Sequence, residues 1–177
     1  MTETFQLETL ATPTGRMLIL TDGEQRLRAA DWADHEDRMR RLLQRHYGDF
    51  TIRPLRARGL RARGGSASRR ALHAYFEGDL DAIGAIATAT NGTDFQRRVW
   101  AALRRIRPGS VLSYGALAAE LDRPTAARAV GLANGTNPIA IVVPCHRVIG
   151  ADASLTGYGG GLARKRWLLA HEGAAPR

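Results

Sequence analysis

The apolar residues of this chain gather into short runs and spaced stripes, and the two patterns predict different elements. Met17-Leu18-Ile19-Leu20 is a run that follows the turn residues Thr12-Pro13-Thr14-Gly15, which predicts a strand over Arg16–Thr21. Asp22-Gly23 signals a hairpin, with Leu27–Trp32 returning as the next strand. Met39, Leu42, Leu43 and Tyr47 then share one side of a helical projection, so His35–Tyr47 reads as a helix. Phe50-Thr51-Ile52 is a further strand candidate, and Ala71–Phe76 a helix ended by Gly78. Between these two, Arg53–Arg70 holds seven arginines, no acid and several Gly and Ser residues. It reads as a surface loop with a helix cap near Ser66 or Ser68. Ile83–Asn91 is mostly Ala, Thr and Gly without periodicity, which places a domain boundary at Asn91-Gly92.

Residues 92–177 are more sharply marked. Thr93-Asp94-Phe95-Gln96 fits a capping box, and Phe95, Val99, Trp100, Leu103 and Ile106 give the following helix its core side. Arg107-Pro108-Gly109 stops it, and Val111-Leu112 is a short extended piece. Ser113 is placed to cap a helix that runs to Leu121. After the turn Asp122-Arg123-Pro124, Thr125 is placed to cap a second helix, Ala126–Ala133, closed by Asn134-Gly135. Two short helices on a tight turn suggest a helix-turn-helix. The second presents Ala126, Ala127, Arg128, Ala129 and Gly131. Small side chains there allow either close approach to DNA or plain packing against the protein core. Leu162–His171 is the last predicted helix.

The 177 residues are 44% hydrophobic and 24% charged, which excludes fibrous and wholly disordered classes. No apolar run nears the ~20 residues of a membrane span. The start, MTETFQLETL, lacks the basic and apolar regions of a secretory signal, so a cytoplasmic protein without membrane attachment is expected. Net charge is +9, and 25 of the 26 basic residues are Arg. Residues 1–91 carry 14 basic and 12 acidic side chains, whereas residues 92–177 carry 12 and 5. The second half is therefore where a polyanion would bind, with simple solubilising charge as the alternative.

Cys145 is the only cysteine, which excludes an intrachain disulfide and a cysteine-rich zinc site. His35, His46 and His73 show no metal-ligand spacing. Most lone cysteines are inert buried hydrophobes, but this one follows the apolar run Ile139–Val143 and Pro144 and precedes His146. A histidine can take a thiol proton, through a bend or a bridging water, and leave the thiolate nucleophile. The histidine needs an orienting carboxylate, for which Glu172 and Glu120 are the candidates. Thr156-Gly157-Tyr158-Gly159-Gly160-Gly161 is a loop able to approach a flat ligand through its backbone, or a plain connector.

Pro144-Cys145-His146-Arg147-Val148 is identical to the active-site signature of the O6-alkylguanine-DNA alkyltransferases. Phe95–Trp100, Ser113-Tyr114-Gly115, Ala127–Gly131, Asn134–Pro138, Thr156-Gly157-Tyr158 and Trp167–Glu172 resemble landmarks of that family in the same order. Ala11-Thr12-Pro13 and Leu27-Arg28-Ala29-Ala30 resemble, more loosely, the first domain of its bacterial constitutive Ogt type. The resemblance implies an α+β fold. An amino-terminal α/β domain with a small antiparallel, ribonuclease H-like sheet (residues 1–91) would precede a helical, winged-helix-like domain with a helix-turn-helix (residues 92–177).

The resemblance further implies irreversible, stoichiometric transfer of an alkyl group from O6-alkylguanine in duplex DNA to Cys145; it leaves O4-alkylthymine open. His146 would be the base, Glu172 its orienting partner, Tyr114 a proton donor to guanine N3, and Asn137 a brace for the turn. Main-chain groups at Cys145, Val148 and Gly159 would read the extruded base, in a pocket also lined by Pro144, Arg147, Tyr158 and Gly160. Arg128 would fill the gap in the stack, with Tyr114, Thr125, Ala126, Ala127, Ala129 and Gly131 at the minor groove, independent of sequence. No cofactor and no zinc are expected; a monomer in solution is, and cooperative clustering on DNA is left open. Two rival readings are a Cys-His hydrolase and a non-enzymatic recogniser of alkylated DNA.

Overall fold

The computed structural model describes residues 2–55 and 64–174, and they form two compact units, Met1–Asn91 and Gly92–Arg177. In the first, β1 (Glu3–Thr12), β2 (Gly15–Thr21) and β3 (Leu27–Trp32) make an antiparallel meander. β4 (Phe50–Pro54) joins beside β1 in parallel, giving the order β3-β2-β1-β4. Between β3 and β4, a 3-10 turn at Ala33–His35 leads into α1 (Glu36–Tyr47). Met39 and Leu43 of α1 pack on Phe5, Leu18, Leu20 and Ala29 of the sheet. α2 (Ala67–Phe76) packs along β1.

One strand is new, and two expectations change here. β1 carries no clear periodic signal because both of its faces are covered: Phe5 is buried on one, Leu10 and the acid Glu8 on the other. Glu8 tolerates burial by accepting the Ser66 backbone N–H at 2.9 Å. The β2–β3 connection is wider than an Asp-Gly turn. Asp22 Oδ1 accepts the backbone N–H groups of Glu24 and Arg26, and Gln25 takes the left-handed conformation (φ 61°). The Arg-rich stretch is not loop throughout. Arg53 and Pro54 close β4, Ser66 caps α2 by accepting from Arg69 N, and residues 67–70 are helical. Residues 56–63 of that expected loop lie outside the described residues.

The second unit opens with α3 (Asp94–Leu103), entered through the reciprocal Thr93–Gln96 capping box. Its Val99, Trp100 and Leu103 are buried, and Trp100 Nε1 donates to Ala133 O at 2.9 Å. β5 (Leu112–Ser113) pairs in parallel with β6 (Val148–Ile149). Between them lie α4 (Tyr114–Glu120), capped by Ser113, and α5 (Ala127–Gly135). α6 (Leu162–His171) closes the unit. Thr125 does not cap α5: the N-cap position falls on Ala126 and no side chain caps it.

Candidate active site

The run Ile139–Val143 is buried throughout, but turns rather than extends; Ile141 has φ 71°. Such a path exposes backbone groups that a strand would pair, and Asn137 satisfies them. Its Oδ1 accepts from Ile139 N at 2.9 Å, and its Nδ2 donates to Val143 O at 2.8 Å and Ile139 O at 3.3 Å. The same Nδ2 lies 3.2 Å from Cys145 Sγ. Asn134 Nδ2 donates to Cys145 O at 3.3 Å. Pro144 ends the turn, and Cys145–Arg147 form one 3-10 turn with all three side chains buried. The nucleophile candidate thus sits in a hydrogen-bonded turn and meets an amide donor placed to hydrogen-bond a sulfur anion.

His146 is fully buried, and its Nε2 lies 2.8 Å from Glu172 Oε1. Arg147 Nε and Nη2 each reach a Glu172 oxygen at 2.8 Å, and Nη1 donates to Ile106 O. Burial by itself would raise the Glu172 carboxyl. The hydrogen bonds and charges of His146 and Arg147 outweigh it and hold the group at about 2, against an ordinary 4.5. Burial pushes His146 down, and the opposing pull of Glu172 does not reverse it, so the imidazole is neutral. With Nε2–H donated to Glu172, Nδ1 keeps the basic lone pair; it has no hydrogen-bond partner among the described residues. Gly109 (φ +80°) is required beside this cluster, since a Cβ there would stand 3.0 Å from Glu172 O.

Lys165 is a residue the sequence reading passed over. Flanked by Arg164 and Arg166, it looks like part of a solvated basic face. Yet it is fully buried, and its Nζ donates to Val148 O at 2.6 Å and Thr156 O at 2.9 Å. Burial lowers its pKa to about 8, with attraction to Cys145 acting the other way. It is a buried positive charge near enough to Cys145 to be attracted to it, and it ties the glycine loop to the strand after the cysteine turn.

These contacts bear on two of the residues expected at the pocket. Arg147 is 3% exposed and its guanidinium is engaged with Glu172 and Ile106, so it braces the site instead of lining it. Val148 O accepts from Lys165 and keeps a second lone pair, and Cys145 N donates to Val143 O. Glu120 is exposed on α4, which leaves Glu172 as the carboxylate on His146. Pro144 and Gly160 are buried, while Tyr158 and Gly159 are half-buried. The Tyr158 ring stands edge-on to His146 with centroids 6.5 Å apart.

On α5, Val130, Ala133 and Asn134 face inward. Arg128 and Ala129 are exposed, and Ala126 and Ala127 are half-buried. Gly131 lies against half-buried Tyr114: a Cβ built on it would meet the tyrosine ring at 3.8 Å, an ordinary contact. Thr125 is exposed in the turn between α4 and α5. Among the described residues, no three His, Cys, Asp or Glu side chains converge as a metal site would require, and no helix is long and apolar enough to cross a membrane.

Comparison with known proteins agrees with this geometry. Residues 94–174 match the family described as 6-O-methylguanine DNA methyltransferase, DNA binding domain. The chain is 52% identical over 166 residues to the methylated-DNA–protein-cysteine methyltransferase of Salmonella typhimurium, covering 94% of each. A protein of the same name from Mycolicibacterium paratuberculosis is 61% identical over 101 residues, 57% of this chain and 61% of that one. The structure of Mycobacterium tuberculosis OGT in complex with DNA aligns with a TM-score of 0.72 at 38% identity, covering 94% of this chain and 92% of that one. The O6-methylguanine-DNA methyltransferase of Pyrococcus kodakaraensis shares the fold, with a TM-score of 0.74 at 24% identity over 96% of this chain and 99% of that one.

Proposed function

Because the chain belongs to the methylated-DNA–protein-cysteine methyltransferase family, whose members are direct-reversal DNA repair proteins, we propose that Cys145 accepts the alkyl group and that the substrate is O6-alkylguanine in duplex DNA. The observation that carries this reading is the buried Cys145 Sγ beside an amide donor, a neutral His146 oriented by Glu172, and the Lys165 charge.

The chemistry is a single displacement. His146 Nδ1 takes the thiol proton through one bridging water, since its other nitrogen is committed to Glu172. Asn137 Nδ2 and the Lys165 charge stabilise the thiolate. Sulfur attacks the alkyl carbon in line as the carbon–O6 bond breaks, and the bonding pair leaves with guanine. Tyr114 donates a proton toward N3, so guanine departs as a neutral base. The proton lost by sulfur balances the one guanine gains. The thioether is stable, so each molecule acts once, and the displacement needs no cofactor.

The target lies inside a base stack and has to be rotated out. Arg128, exposed on α5, fills the gap, while Ala126, Ala127, Ala129 and Gly131 let the helix sit close in the minor groove. Thr125 meets the backbone at the turn, and Tyr158, Gly159, Gly160 and Pro144 bound the base pocket. One copy serves one lesion, so the protein acts as a monomer, and contacts that ignore sequence let further copies seat alongside it.

Weighing intact protein after incubation with duplex bearing O6-methylguanine tests the reading. It expects a gain of one methyl group per molecule, on Cys145, and none in Cys145→Ala. Multiple turnovers would instead indicate a hydrolase, and binding without mass gain a recogniser.

A further inference from the structure

We infer that Leu132 is an apolar contact to the DNA minor groove, one helical turn beyond Arg128, that helps hold open the base step next to the extruded nucleotide. The inference deepens the reading of α5 as the helix that enters duplex DNA. Leu132 is 70% exposed, more than the other exposed large hydrophobic among the described residues, Leu162 at 43%. A scattered surface leucine needs no explanation, but the position of this one is specific. Four residues separate it from Arg128, so the two side chains project from the same side of α5. Val130, Ala133 and Asn134 point the opposite way, into the unit. Ala127, Ala129, Gly131 and Gly135 keep the rest of the outward side low. Leu132 is therefore the single bulky apolar projection of that helix, set beside its single cation, in a half of the chain whose basic residues outnumber acidic ones 12 to 5.

The continuity with Arg128 identifies the occupant as nucleic acid. Four residues of helix advance about 6 Å, roughly two base steps of about 3.4 Å. A side chain at that offset reaches sugar and base edges beside the vacated position, and apolar side chains in a minor groove prise such steps apart. Leu132 is solvated in the free protein. Its burial accordingly favours the complex and not the fold.

Leu132→Ala tests this, because Ala is the better helix former and the position is exposed, so folding is retained. The variant is expected to bind undamaged duplex about ten-fold more weakly and to repair O6-methylguanine in duplex about ten-fold more slowly, the effect of losing roughly half of a leucine's burial. Its rate with free O6-benzylguanine stays at the parent value, and Leu132→Met restores duplex repair. A fluorescent base analogue beside the lesion shows less unstacking. Unchanged or faster duplex binding would overturn the inference, as would equal losses on both substrates. So would a shift in the sedimentation of DNA-free protein with duplex binding intact, which would assign the surface to a second copy of the chain. If the unaltered protein failed to take the methyl group at all, the repair reading would fall. The undamaged-duplex comparison would still decide the role of Leu132.

Discussion

The amide nitrogen of Asn137 reaches the sulfur of Cys145 at 3.2 Å while also donating to the carbonyls of Ile139 and Val143. One side chain therefore closes the turn and touches the proposed nucleophile. Fold and reactivity cannot be separated at this position by deletion alone, and the expected phenotype is double.

Asn137→Ala leaves buried backbone groups unpaired, which costs about 1–3 kcal/mol each. Thermal unfolding should register that loss. Alkyl transfer from free O6-benzylguanine, measured on the fraction that remains folded, should fall about ten- to hundred-fold through the missing charge-assisted bond. A folded variant with an undiminished rate would remove Asn137 from thiolate stabilisation.

Glu172→Gln strips the counter-charge from Arg147 and leaves one amide oxygen where two carboxylate oxygens accept from His146 and Arg147. Breaking a buried pair in this way costs about 3–5 kcal/mol. In the unaltered protein the folded carboxyl sits at about 2 and its ordinary value is 4.5. Its stabilisation is therefore present above 4.5 and disappears as pH falls through that window, on the order of 3 kcal/mol. Denaturant titrations at stepped pH should show the decline in the parent and not in Glu172→Gln.

Lys165→Met removes the buried positive charge that is attracted to Cys145. The rate–pH profile for alkyl transfer should move to higher pH, together with the ultraviolet absorbance that reports the thiolate. Because burial depresses this lysine from 10.5 to about 8, the parent's stability should also rise between those two values, as the unfolded chain holds the proton more tightly. The variant lacks that rise. An unmoved rate profile would argue against an electrostatic role.

Arg128→Ala should slow repair in duplex about a hundred-fold, if the side chain supplies a few kcal/mol toward the unstacked state. Reaction with free O6-benzylguanine should be unaffected. Binding of undamaged duplex should weaken linearly in log–log against salt, and the variant's slope should be smaller by about one. Equal loss on both substrates would argue against the finger role.

Elements with a local signature were legible in the letters. The Thr93–Gln96 capping box and helix Leu162–His171 are examples, since caps and apolar stripes are written into adjacent residues. β1 was not, because a strand covered on both sides shows no alternation. At the site, chemistry narrowed the orienting acid to Glu172 or Glu120, the family resemblance pointed to Glu172, and Glu172 stands 2.8 Å from His146. Lys165 escaped notice because burial of a cation depends on where two distant carbonyls lie, and nothing in the flanking arginines encodes that. Arg147 was read as a pocket residue for the same reason: its partner lies 25 positions away.

Gly131 is bare although there is room beside Tyr114 for a methyl group at ordinary contact distance. Glycine in a helix forgoes about 1 kcal/mol relative to alanine. Among the described residues nothing near Gly131 requires that concession, and the proposed minor-groove approach of its helix supplies a reason for it. On that proposal Gly131→Ala should yield a sturdier protein that docks less well, a visitor's contour set against its host's endurance.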